Sequence, residues 1–364
     1  MRLSWTLSRY FGLQLLGGVG AVTALFMALI FLGDIIELMR RSAGNAEISF
    51  SLLVMMGALQ LPALIERALP FAVLFGALWS YIRLGRNHEL VVIRASGVSV
   101  WQFLLPGIAI ALLGGIFVVT TYNPISASFT ERFERLEGEY LRGGTSLLAV
   151  SESGLWLRQS DARGQSVIHA LRSTNQGKNL QDVIFFLYEG SDKFVGRIDA
   201  RQAILQDGYW EISQATRTMP NQPSQFLESD RLPTTLTVER IQDSFASPET
   251  LSFWDLPEFI KVLEDAGFSA VRHRLHWQSL MAMPLLLCAM ILIAATFALR
   301  ASTRTGITMT VLGTLGTGFA LYFLTDLALA LGRSGSLPVL LSAWTPAGIS
   351  ILLGVSLMLH LEDG

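Results

Sequence analysis

Charged side chains that interrupt apolar runs are the first candidates for chemistry. Glu66 and Arg67 stand together inside one such run and Asp326 inside another. A charge at the centre of a membrane helix costs about 2.5 to 3.5 kcal/mol on insertion scales, so these positions mark a candidate intramembrane polar site. Adjacent residues on a helix point in different directions, and Glu66 and Arg67 do not form an i,i+4 pair. The plainer reading puts them, and Asp326, near a membrane interface. A second group, Asp34, Glu37, Arg40 and Arg41, closes the first apolar run. The two acids read as an interfacial anchor. Guanidinium groups match phosphate oxygens bidentately, so Arg40, with Arg41 beside it, is a candidate contact for an anionic headgroup.

Other chemistries lack their residues. No G-x-x-x-x-G-K-[ST] sequence is present, since Gly177-Lys178-Asn179 has neither the hydroxyl nor the upstream glycine. The chain therefore cannot cradle ATP as a P-loop does, and energy must come from a partner or an ion gradient. His273 and His276 share a helix face without a third ligand, which favours interfacial histidines over a zinc site. Ser96-Gly97 and Ser153-Gly154 have no accompanying His/Asp arrangement, so no hydrolase is inferred. Cys288 is the only cysteine and lies in an apolar run, which excludes a disulfide scaffold.

The elements that must position these residues follow from composition. Of 364 residues, 51% are hydrophobic and 15% charged, and mean hydropathy is +0.46, the balance of a membrane protein. Residues 122–274 hold 16 of the 27 Lys and Arg and 21 of the 29 Asp and Glu, so one polar domain divides two membrane blocks. A soluble enzyme and a nucleic-acid binder are both excluded, the latter by a pI near 6.2 and the lack of a basic stripe.

A spanning helix needs about 20 apolar residues. Six segments qualify, at about 11–33, 51–82, 98–122, 275–299, 305–331 and 337–359. The predicted domains are thus three helices over 1–122, an insert over 123–274 and three helices over 275–364. The first run is too long for a signal-peptide core and is expected to stay as a helix. Short-loop basic residues set orientation. Arg2, Arg9, Arg83, Arg86, Arg94, Arg300 and Arg304 fall on one side, against Arg40, Arg41 and Arg333 on the other, which predicts cytoplasmic termini and a periplasmic insert.

Within the insert, an acidic and basic helical stretch (Glu131 to Glu139) gives way to short runs of β-forming residues. They lie at 155–157, 166–169, 183–188, 197–205, 209–212 and 236–241, with Gly164, Asn175-Gln176-Gly177, Glu189-Gly190 and Asp207-Gly208 between them. This spacing predicts an antiparallel sandwich or roll. Residues 256–266 read as a helix with Pro257 at its start and Gly267 at its end.

The second cytoplasmic loop runs from Arg86 to Gly97. Asn87 is a plausible N-cap, Glu89 falls in the first turn, Arg94 in the last, and Gly97 suits C′, so a short amphipathic helix is predicted. A capped surface connector is the plain reading. The stretch Glu89-Leu90-Val91-Val92-Ile93-Arg94-Ala95-Ser96-Gly97 also closely resembles the E-[LI]-x-V-[ML]-x-A-[SC]-G sequence of the lipopolysaccharide-export permeases, the LptF/LptG (YjgP/YjgQ) family. The resemblance extends over essentially the whole chain. It takes in Arg9-Tyr10, Leu61-Pro62, Leu69-Pro70-Phe71 and the closing Leu341-Ser342-Ala343-Trp344-Thr345-Pro346, and is nearer the LptG than the LptF branch.

What the resemblance implies is specific. The fold would be a helical membrane protein, with six transmembrane helices as 3+3 and an inserted periplasmic all-β domain of β-jellyroll type. The chain would be a non-catalytic subunit of an ATP-driven exporter that extracts lipopolysaccharide from the bacterial inner membrane. Its partners would be an LptB-type ATPase dimer, an LptF-type permease and an LptC-type periplasmic protein leading to a periplasmic bridge. ATP and Mg would belong to the ATPase, with no cofactor on this chain. Asn87, Glu89, Leu90, Val91, Ile93, Arg94 and Gly97 would belong to a coupling helix docked in the ATPase, and Arg40 and Arg41 would meet headgroups. Two other classes are weighed beside it: a proton-coupled secondary transporter using Glu66 and Asp326, which lacks a convincing inverted repeat, and a membrane-anchored sensor, which would not need six spans.

Overall fold

The structure, a computed structural model, describes residues 5–362 apart from 43–47, 90–91, 93–94, 96, 142–147, 152–153, 162–163, 175–176, 190–192, 221, 235, 238–240, 242–245, 266–267 and 302–305. It divides into two compact units. One comprises 1–141, 249–254 and 274–364, and the other 142–248 and 255–273.

The first unit is helical. Six described helices are long and apolar enough to cross a membrane, and several outrun their apolar cores. They begin with α1 (Trp5–Ser42) and α2 (Phe50–Arg86). The third span, α3 (Val100–Phe117), passes through a π-helical turn at Val118–Tyr122 into α4 (Asn123–Tyr140), so the charged stretch after the span continues the same helix. Helices α6 (Val271–Ala301), α7 (Ile307–Arg333) and α8 (Val339–Glu362) complete the set, following a short α5 (Leu256–Asp265) in the second unit. Apolar packing between helices does not by itself drive association in lipid, so close backbone approach matters. Helices α1 and α2 touch at Gly18 and Gly76: a Cβ on Gly76 would stand 2.5 Å from the Val19 Cα. Ser80, one turn on, donates to the Gln14 carbonyl at 3.1 Å. Gly115 of α3 likewise admits Pro284 of α6.

The second unit is the inserted all-β domain. Strands β1 (Leu148–Ser151), β2 (Gly154–Asp161), β3 (Gly164–Thr174), β4 (Asn179–Glu189), β5 (Lys193–Gln206), β6 (Tyr209–Thr218) and β7 (Gln225–Pro233) form one antiparallel sheet in sequence order. Every strand pairs with its sequence neighbour, so the domain is a meander of hairpins. Of the expected strand at 236–241, residues 238–240 lie outside the described residues and 236–237 are not strand; the last strand, β7, lies earlier, and Pro233, which has no N–H to donate, is its final residue. Leu236 and Ile241 are nevertheless buried. α5 is amphipathic, with Leu256, Ile260 and Leu263 buried, and Pro257 sits in its first turn; Gly267 lies outside the described residues.

A crease crosses the sheet. Burial alternates along β3 to β6, as one covered face requires, but the phase slips by one residue at aligned positions. In β3 it passes from Ile168 and Ala170 to Ser173, in β4 from Leu180 to Val183 and Phe185, in β5 from Ile198 and Ala200 to Ala203 and Leu205, and in β6 from Trp210 and Ile212 to Ala215. Ladder pairing resumes in unchanged register on both sides, with Arg172, Gln181, Gln202, Ser213 and Ser229 forming one row. Beside that row Leu171, Asp182, Arg201, Gln214 and Glu228 are all exposed. Asp182 and Gln214 there have φ of 51°, the left-handed region that non-glycine residues seldom enter. A simultaneous slip in four strands keeps both panels' apolar side chains on the same face while bending the sheet.

Candidate functional site

The loop between α2 and α3 is built around two backbone reversals. The Asn87 N–H donates to the Arg83 carbonyl at 3.1 Å, so Asn87 caps the end of α2. That corrects its expected role as the next helix's N-cap: its side-chain amide donates to Glu89 Oε1 at 3.2 Å instead of accepting from the backbone. His88 takes φ of 57°, and its carbonyl accepts from the Val92 N–H at 3.2 Å, opening a new helical turn that includes Glu89. Gly97 has φ of +81°, the conformation a helix C′ position needs. Ser99 then caps α3 by accepting from the Gln102 N–H at 3.3 Å. Leu90, Val91, Ile93 and Arg94 lie outside the described residues. Val92 and Ala95 are exposed, and the Tyr10 hydroxyl donates to Glu89 at 3.4 Å.

Arg40 and Arg41, adjacent at the end of α1, part company. Arg40 is exposed and chelates Glu37 on its own helix at 2.9 and 2.7 Å. Arg41 reaches α4 and donates to the buried carboxylate of Glu137 at 2.5 Å. Glu137, one of six charged residues in a stretch that reads as solvated, gave no sign of this in the sequence.

Glu66 and Arg67 face opposite ways. Glu66 is buried and accepts from Asn123 Nδ2 at 3.1 Å and from Ser126, both on the far side of the π turn. Arg67 is exposed and pairs with Glu249 at 3.1 Å. Asn123 is also buried, and its Oδ1 accepts from the Phe253 N–H at 2.8 Å. Asp326 is exposed on α7. His273 is buried with Nε2 3.0 Å from the Ala246 carbonyl, whereas His276 acts on Glu249, whose carboxyl its charge lowers; no cluster of three metal-ligating side chains occurs among the described residues.

The sequence family is decided by length of match. The model of the family described as "Lipopolysaccharide export system permease LptF/LptG" matches residues 9–360. This chain belongs to that family. Among curated relatives, the lipopolysaccharide export system permease protein LptG of Haemophilus influenzae is 25% identical over 303 residues, covering 80% of this permease and 81% of the relative. The LptG protein of Escherichia coli K12 is 24% identical over 315 residues, covering 83% and 84%. The permease is thus a six-span helical membrane protein with an all-β insert, similar to LptG proteins along most of its length.

Proposed function

We propose that this permease is the LptG-type half of an ATP-driven exporter that lifts lipopolysaccharide out of the inner membrane and passes it toward a periplasmic bridge. The observation that carries the reading is the family match over residues 9–360 on a sequence without a P-loop motif. An LptB-type ATPase dimer supplies the ATP and Mg chemistry, an LptF-type permease forms the other half, and an LptC-type protein accepts the substrate. The α2–α3 loop is the side that docks the ATPase, through Glu89 and its helical turn. Arg40 contacts substrate phosphates, because it is exposed and, among the described residues, pairs with the half-exposed Glu37 of its own helix, whereas Arg41 is committed to Glu137. The excess of short-loop arginines puts this loop and both termini in the cytoplasm and the β unit in the periplasm. A proton relay through Glu66 and Asp326 has less support, since Glu66 is satisfied by Asn123 and Ser126 while Asp326 is exposed. Co-purification with an LptB-type ATPase tests the reading: a stoichiometric complex supports it, and a permease pair that never retains the ATPase contradicts it.

A further inference from the structure

The chain leaves the β unit at residue 248, enters the helical unit for six residues, and returns to the β unit at 255. That excursion, Glu249–Trp254, is fastened at several points. Glu249 pairs with Arg67 of α2. The Phe253 N–H donates to Asn123, and the Phe253 ring stacks on Trp277 of α6 with centroids 6.3 Å apart. The Trp254 indole N–H donates to the Thr120 carbonyl at 3.1 Å.

The attachment points are those the helix chemistry leaves open. Pro124 has no N–H, so it cannot donate to the carbonyl four residues back, and that carbonyl is Thr120's. The π turn at 118–122 ends on the Asn123 N–H, which donates to the Val118 carbonyl. Such turns insert one residue into an α-helix and recur at functional sites. Asn123 is the residue that ties the parts together. Its amide nitrogen holds the buried Glu66 carboxylate and its amide oxygen holds the strap's backbone, so one side chain fixes α2, the π turn and the strap at once. Sliding α4 by one residue would shift Asn123 about 1.5 Å and turn it about 100°. Both bonds would break together.

We propose that Asn123 is the positioning residue of a closed joint that carries movement of α2 and the α3–α4 helix into the covalent strap Glu249–Trp254, and so into the β unit. The joint moves as a body and stays closed throughout transport. This rests on the permease function proposed above, and the test separates the two. Asn123→Asp keeps the acceptor for Phe253 but faces Glu66 with a second carboxylate. The double variant Asn123→Asp/Glu66→Gln exchanges amide and acid across the same contact and restores a donor and an acceptor.

In the full-length permease in nanodiscs, amide exchange over 249–254 reports on the joint without any transport. Asn123→Asp is expected to speed it at least tenfold and the exchanged pair to return it to within about threefold of the parent. In the assembled complex the single variant is expected to release at least threefold less lipopolysaccharide per ATP hydrolysed, with ATP hydrolysis itself retained, and the pair to recover it. Linking Arg67→Cys to Glu249→Cys with a flexible bis-maleimide is expected to leave release intact. Unchanged exchange in the single variant, no recovery in the pair, or a block of release by the link would overturn the joint; the last would make it a latch that must open. A parent complex that hydrolyses ATP without releasing lipopolysaccharide would instead contradict the proposed function, with the exchange result still readable. Should the single variant not fold, the cross-linked protein alone decides.

Discussion

Arg41 of α1 and Glu137 of α4 form a 2.5 Å ion pair between residues 96 positions apart. The Glu137 side chain is only 6% exposed while Arg41 is 36% exposed, so the pair is lopsided: the arginine can be rehydrated if freed, but the carboxylate cannot. Removing the arginine takes the cationic partner from a buried carboxylate, which costs more than losing an exposed pair.

The two neighbouring arginines should therefore fail differently. Arg41→Ala is expected to lower stability by about 2 kcal/mol, and Arg40→Ala by about 0.5 kcal/mol or less, because surface ion pairs contribute little. In photo-crosslinking to lipopolysaccharide the order reverses: Arg40→Glu loses most of the adduct at unchanged melting temperature, and Arg333→Glu loses less. Equal small losses from both charge reversals would return Arg40 to an interfacial anchor.

The α1–α2 crossing sets a second expectation. Gly76→Ala places a methyl 2.5 Å from backbone and should cost about 1 to 3 kcal/mol, the usual range for overpacking. Gly17→Ala and Gly20→Ala on the facing helix α1 meet nothing within 4 Å and should be neutral or slightly stabilising, since alanine restricts the unfolded chain. Thermal melting in detergent distinguishes the two sites. A Gly76→Ala protein as stable as Gly20→Ala would disprove the close crossing.

The strap has a pH signature. Burial raises the Glu249 carboxyl, but His276, its backbone hydrogen bonding, Arg67 and Arg333 outweigh burial and bring it below its ordinary value of 4.5. A carboxyl depressed in the folded state contributes stability that is present above the unfolded value and lost as pH falls through the folded one. Amide protection over 249–254 should thus be present at pH 5 and drop as pH falls below about 4.5. In Glu249→Gln that step should be absent. A step of the same size in the variant would assign it to another group.

Topology is testable with single cysteines, the one native thiol, Cys288, being buried. Gly177, a turn position by sequence, is unsuitable: it is buried, at φ +90°, with Phe268 and Ile241 within 3.1 Å of an added Cβ. Asp207, exposed in the β5–β6 turn, takes its place. Asp207→Cys should react with an impermeant maleimide from the periplasm and Asn87→Cys should react only after permeabilisation. The reverse pattern would invert the orientation.

Much of the architecture was legible because it is written in periodicity. Six apolar runs gave six spans, and five of the six predicted β runs fall within strands of the insert. β7 was missed because its residues Gln225 to Pro233 are exposed or half-buried and show no apolar alternation. The π turn was invisible for a related reason: Asn123-Pro124 reads locally as the end of a span, and only Trp254, 130 positions away from Pro124, reveals that the helix continues and its spare carbonyl is used. Glu66 and Arg67 were legible as pointing apart, but their partners Asn123 and Glu249 were not, because neither contact follows from helical spacing.

The coupling claim meets its most direct test in ATP-driven release of lipopolysaccharide from proteoliposomes holding this permease, its LptF-type partner and an LptB-type ATPase, with and without Glu89→Arg. Glu89 stands half-exposed in the first turn of the loop helix, held by Asn87 and Tyr10, so reversing its charge changes what the loop offers a partner and leaves the packed helices alone. ATP-dependent release is expected from the parent complex, and for Glu89→Arg a loss of at least tenfold in release and in stimulated ATP hydrolysis, at unchanged expression and helix content. Release and hydrolysis by Glu89→Arg equal to the parent's would contradict the coupling claim.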